Sequence, residues 1–138
     1  MRFLIRAVVV LSAAVSLMSG CGRDPLNRQA VSGTVTFKGQ PLEHGKIEFS
    51  PLDGQTTLMG AEIANGLYSI PAKQGLTPAK YKVMINAPQG ANLNPTGPPG
   101  SDLGPPPTEL IPERFNAKSE LRAEVKKGEP NVFDFTLK

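Results

Sequence analysis

From Val31 onward, apolar and polar residues alternate with the period of a β-strand. Val31, Val35 and Phe37 are interleaved with Ser32, Thr34, Thr36 and Lys38, which predicts a strand with one apolar and one wet face. Lys38-Gly39-Gln40-Pro41-Leu42 ends it, because Gly39 accepts positive φ and Pro41 has no N–H for a ladder. After Glu43-His44-Gly45 the alternation resumes, with Ile47 and Phe49 inward and Lys46, Glu48 and Ser50 outward, until Pro51. Asp53-Gly54 marks a turn, and Thr56–Ile63 predicts a strand with Met59, Ala61 and Ile63 inward. Asn65-Gly66 is a two-residue hairpin signal that needs positive φ. It leads into Leu67–Ile70, with Tyr68 and Ile70 inward and Pro71 as the stop. Tyr81, Val83 and Ile85 then alternate with Lys82, Met84 and Asn86.

The C-terminal part is harder to read. Ser119 would cap a helix in which Leu121 and Val125 share a face and Gly128 follows the last turn. Leu121, Ala123 and Val125 also alternate with Glu120, Arg122, Glu124 and Lys126, and in a chain otherwise patterned for strands we take the strand. Glu129-Pro130-Asn131 predicts a turn into a last strand, Val132–Leu137, with Phe133, Phe135 and Leu137 inward. These elements predict an all-β domain over residues 31–138, an immunoglobulin-like or transthyretin-like β-sandwich of about seven antiparallel strands.

Two segments break the pattern. Pro88–Pro112 holds eight of the chain's 14 prolines, and its Pro98-Pro99-Gly100 and Pro105-Pro106-Pro107 runs cannot pair as central strands. A disordered loop, a proline-rich recognition segment and a rigid arm on the sheet all fit this composition. The other segment is residues 1–20. Arg2 and Arg6 precede an apolar run, Ala7–Met18, interrupted only by Ser12 and Ser16. That run is shorter than the ~20 residues a membrane-spanning helix needs and suits the core of a secretory signal. Leu17-Met18-Ser19-Gly20-Cys21 resembles the bacterial lipobox, with Met18 where Leu is commoner. The resemblance implies cleavage before Cys21, lipidation of Cys21, and attachment through acyl chains to a bacterial cell envelope, facing periplasm or exterior. Residues 21–30 then read as a polar tether.

Charge adds little beyond this. The formal +3 includes Arg2 and Arg6, so removal of the signal leaves +1. No long basic run remains, and Lys and Arg are interleaved with Asp and Glu, so the pattern does not support nucleic-acid binding. Cys21 is the only cysteine, so no intramolecular disulfide can form.

Leu76-Thr77-Pro78-Ala79-Lys80-Tyr81 resembles the tyrosine corner of immunoglobulin-like sandwiches, with Leu76, Pro78 and Tyr81 as its elements. Taken with Gly33-x-Val35, Gly39-x-Pro41-Leu42 and Asn65-Gly66-x-Tyr68-x-Ile70, it resembles the carboxypeptidase regulatory-like domain, a transthyretin-like β-sandwich. The likeness is good over Val31–Asn86 and weaker beyond. It departs at Ala79, where that family usually has Gly. The resemblance implies a tyrosine phenol that bonds back to the turn and pins a crossing between sheets.

The residue types that carry chemistry are sparse. His44, the only histidine, lies in a turn and has no second His or free Cys to complete a zinc site. No nucleophile-elbow pattern accompanies it, and Asp53, Asp102 and Asp134 lack the spacing of a calcium loop. Transthyretin-like hydroxyisourate hydrolases need several histidines and a Tyr-Arg-Gly-Ser ending, whereas this chain ends Phe-Thr-Leu-Lys. We therefore expect no catalysis and no cofactor. Two readings remain: a lipid-anchored module with a structural or protein-assembly role among envelope proteins, and a binding module for an envelope glycan or peptide.

Overall fold

In the computed structural model, residues 24–54, 58–90 and 107–138 are described; the predicted signal segment, Cys21, Thr56 at the predicted start of its strand, Pro98-Pro99-Gly100, Asp102 and Pro105-Pro106 lie outside them. Two-residue turns with positive φ organise the first half. Lys38 (φ 50°) and Gly39 (φ 81°) fold β1 (Val31–Phe37) back onto the short β2 (Gln40–Pro41). Asn65 (φ 52°) and Gly66 (φ 76°) join β4 (Met59–Ala64) to β5 (Leu67–Ile70) in the same way. Positive φ at both turn residues matches the twist of the flanking strands, which accounts for the strength of the Asn-Gly signal. Pro41 pairs at this edge, opposite Thr36, where a missing N–H is tolerated.

Antiparallel ladders then link β4 to β3 (His44–Pro51), β3 to β6 (Ala79–Asn86), and β6 to β9 (Arg122–Val125). The ambiguous segment is thus a strand. Ser119 does not cap a helix; its buried hydroxyl donates to the Val83 carbonyl. β5 returns alongside β1, pairing Ile70 with Val31.

The last strand differs from the sequence expectation in two ways. It is split into β10 (Asn131–Val132) and β11 (Phe135–Leu137), and both halves pair with β1 in parallel, not antiparallel. Its direction follows from connectivity. β9 ends at the same end of the sheet where β1 begins, so a strand launched there by a tight turn must run alongside β1. The Asn131 carboxamide holds that turn, accepting the Lys126 N–H (2.8 Å) and donating to the carbonyls of Lys126 and Glu129 (3.0 Å each). The order β10-β1-β5-β4-β3-β6-β9 therefore has its two ends joined by one turn, and the sheet curls around its apolar face.

That face supplies the core. Phe49, Ile47, Ile63, Leu76, Ile85, Ile111, Leu137, Val31, Val35 and Val83 are all buried to within 2% exposure. Each such side chain contributes ~1.5–3 kcal/mol of burial, set against the conformational entropy lost on folding. Phe49 sits between Tyr68 (6.1 Å, tilted) and Tyr81 (6.3 Å, edge-on), so both tyrosines pack on one phenylalanine.

The two ends of the strands are distinct. At the entry end, Gln29 and Leu76 exchange backbone hydrogen bonds (2.8 and 3.0 Å), and the Gln29 side chain accepts the Gly128 N–H (3.1 Å). The Asp24 carboxylate accepts the N–H groups of Leu26 and Arg28 and pairs with the Arg28 guanidinium at 2.8 Å. The Asp24 bonds close residues 24–28 on themselves, and it is at Gln29 that the segment read as tether engages the domain. At the far end lie Lys38–Gly39, His44 and Asn86. There the foot of the proline-rich segment forms its own ladder, β7 (Pro88–Gln89) with β8 (Thr108–Glu109). Ile111, inside that segment by sequence, is core.

Candidate functional site

The residues nominated for the corner come together at the entry end. Leu76 is buried and bonded to Gln29, and Pro78 is exposed in the bend before β6. The Tyr81 phenol donates to the Thr77 carbonyl at 2.8 Å and lies 3.1 Å from the Thr77 hydroxyl. Thr77 is thus the partner, a residue that the turn pattern alone does not single out.

A second phenol, in the hairpin motif of residues 65–70, makes a comparable bond to a residue far along the chain. Tyr68 donates to the Phe133 carbonyl (2.7 Å), and Phe133 N–H donates to the Ser32 carbonyl (2.9 Å). Asp134, one residue on, accepts both the Thr34 N–H and the Thr34 hydroxyl at 2.8 Å. This carboxylate replaces the ladder bond lost where β10 and β11 separate. Burial, with a smaller contribution from the Asp134 charge, pushes the Tyr68 phenol well above its ordinary range. The close approach requires Gly33, because a Cβ there would stand 1.9 Å from the Phe133 carbonyl oxygen.

Two concavities lie near the far end. One, of about 550 Å³, is lined by Phe37, Pro41, Leu42, His44, Pro88 and Leu110, at the foot of the proline-rich segment. The other, of about 660 Å³, lies over the outer face of β3 and β6, with Glu48, Met84, Glu109, Ile111 and Glu113 on its walls. Glu109 is occupied structurally, since one carboxylate oxygen accepts the N–H groups of Ala87 (2.7 Å) and Ile111 (2.9 Å) and straps the two sides of the segment together. Glu48 is paired with Lys46 at 2.7 Å.

His44 stands exposed at the start of β3, on the rim of the first groove. Among the described residues no group of three His, Cys, Asp or Glu side chains is placed to hold a metal ion. The first groove can offer apolar contact with a few polar groups at its edge. Sequence reading misses it because it is built from turns. Leu42 and Leu110 belong to no alternating run, and an apolar residue stranded between turn residues is the signal that could have found them. Comparison with known protein families, curated proteins and solved structures gives no match, so the likeness to the carboxypeptidase regulatory-like domain rests on the motifs quoted above.

Proposed function

We propose that this chain is a lipid-anchored β-domain of a bacterial cell envelope with a structural or protein-assembly role and no catalytic one. The observation that carries the reading is Leu17-Met18-Ser19-Gly20-Cys21, with the chain's only cysteine at the cleavage point of a signal-like segment. A thiol with no disulfide partner at that position suits modification, and more than one acyl chain gives stable attachment. Large ladders with carboxylate and phenol clamps at the strand ends support a rigid body that holds partners in place. The far groove favours a second reading, a binding module for an envelope glycan or peptide, because Phe37, Leu42 and Leu110 offer it an apolar floor.

Metabolic labelling with a fatty-acid analogue tests the anchor. Wild type is expected to carry label and to sediment with membranes, while Cys21→Ala carries none and is released. Equal membrane retention of the mutant would overturn the reading. Crosslinking in intact cells separates the two roles: capture of an envelope protein supports assembly, and saccharide or peptide binding by the purified chain supports the second reading.

A further inference from the structure

The entry end of the sheet carries an unusual combination of residues. Of the five large apolar side chains that are well exposed among the described residues, Leu26 (58%), Leu52 (51%) and Leu58 (49%) all lie there. Leu26 is in the turn closed by Asp24 just ahead of Gln29, Leu52 follows β3 and bonds through its N–H to the Lys80 carbonyl, and Leu58 precedes β4. Of the others, Val132 is paired one residue in from the start of β1, and Leu67 opposite Thr34. Isolated exposed leucines need no explanation, but three at one end of a small domain do.

Cations stand on the same end. Arg28 lies beside Leu26, Lys73 is in the 3-10 turn Ala72–Gln74 just before Gly75 and Leu76, and Lys127 is in the β9–β10 turn. Among the acidic groups there, Asp24 is paired with Arg28 and Glu129 with Lys126 (3.9 Å); Asp53 lies in the turn after β3, and Glu124 faces Lys80 across the ladder. Exposed leucines and cations at one end of the strands suit an interface with anionic headgroups, apolar side chains for the acyl boundary and cations for the phosphates.

Chain length brings this end to the membrane. The links from Cys21 to Asp24, followed by the Asp24–Arg28 turn that closes on itself through the Asp24 carboxylate, separate the predicted lipid site from Gln29, which bonds Leu76 of the domain. Fully extended, the links from Cys21 to Asp24 reach ~10 Å, and the whole stretch from Cys21 to Gln29 would reach ~27 Å only if that turn opened. β1 then carries the chain seven residues away from that end, a rise of ~20 Å.

We infer that the entry end, with Leu26, Leu52 and Leu58 among Arg28, Lys73 and Lys127, is a docking face for the anionic bilayer surface that holds the acyl chains of Cys21. The far groove and the proline-rich segment then point away from the membrane, toward whatever the domain engages. This rests on the lipid-anchor reading above.

The test uses the acylated full-length product in vesicles of phosphatidylethanolamine and phosphatidylglycerol, with acylation of Cys21 verified by mass. Acylation consumes the only native thiol, so one introduced cysteine can be labelled alone with a fluorophore. Labels at Leu52→Cys and Lys73→Cys are expected to be quenched several-fold more by a headgroup-attached nitroxide than a label at Glu43→Cys at the far end. Adding Lys73→Glu and Lys127→Glu to the Leu52→Cys protein is expected to remove most of that quenching. Equal quenching at both ends of an acylated protein would overturn the inference while leaving the anchor intact. Quenching unchanged by the charge reversals would overturn the claim that this face contacts headgroups. A product without acylation at Cys21 would instead overturn the anchor reading, and the inference with it.

Discussion

Gly33→Ala should be among the most damaging single-methyl changes in the domain, although the position looks like an ordinary strand residue. Its Cβ would lie 1.9 Å from the Phe133 oxygen and 2.6 Å from the Phe133 carbonyl carbon, both backbone atoms that cannot swing aside. Either β1 bends or the β10–β11 segment lifts. Lifting breaks the Phe133 bond to Ser32, the Tyr68 bond to Phe133 and the Thr34 bonds to Asp134. Neutral bonds are worth ~1 kcal/mol each and one to a carboxylate ~1.5–3 kcal/mol. With the two carboxylate bonds taken at the low end because they are exposed, the sum is ~5 kcal/mol, a large share of the ~5–15 kcal/mol that holds a domain folded. Urea denaturation of residues 22–138 should show the midpoint falling by roughly 2 M. Gly39→Ala is the control. Its φ of +81° strains an alanine, but nothing stands within 4 Å of the new methyl, so only ~1–2 kcal/mol is expected. If Gly33→Ala is no worse than Gly39→Ala, the close crossing is not what holds the last strand in place.

Tyr81→Phe keeps the ring against Phe49 and leaves the Thr77 carbonyl without its donor; a loss of ~1–2 kcal/mol in the same titration is expected, and none would show that the corner bond adds no stability. Tyr68 gives a pH dependence with a definite sign. Its folded phenol stays protonated above the ordinary value near 10, so its contribution is complete below pH ~10 and is lost as pH rises, because the unfolded chain ionises first, by up to ~1.4 kcal/mol per pH unit. Tyr68→Phe should flatten the alkaline limb of the stability curve; an identical slope would contradict the burial argument.

Alternation was enough to identify most of the strand residues that face the core, with Phe37, Met59, Ala61 and Phe133 half-buried against it. Val31, Val35, Ile47, Phe49, Ile63, Tyr68, Ile70, Tyr81, Val83, Ile85, Ala123, Val125, Phe135 and Leu137 are all buried, because a half-buried strand shows its period of two in any tertiary setting. The Lys38-Gly39 and Asn65-Gly66 turns were legible for a similar reason, since positive φ is a local demand met by local residue types. Pairing partners and direction were not. Nothing in Val132–Leu137 encodes a parallel neighbour, and that neighbour follows from where the β9–β10 turn releases the chain. The break at Phe133–Asp134 depends on a glycine one hundred residues away in sequence, and the clamp there on Thr34 and Tyr68. Ile111 and Glu109 looked like parts of a proline-rich excursion, and only the packed structure shows one filling the core and the other strapping Ala87. The far groove and the entry face are likewise assembled from turns distant in sequence, and turn residues carry no periodicity from which a shared surface could be read.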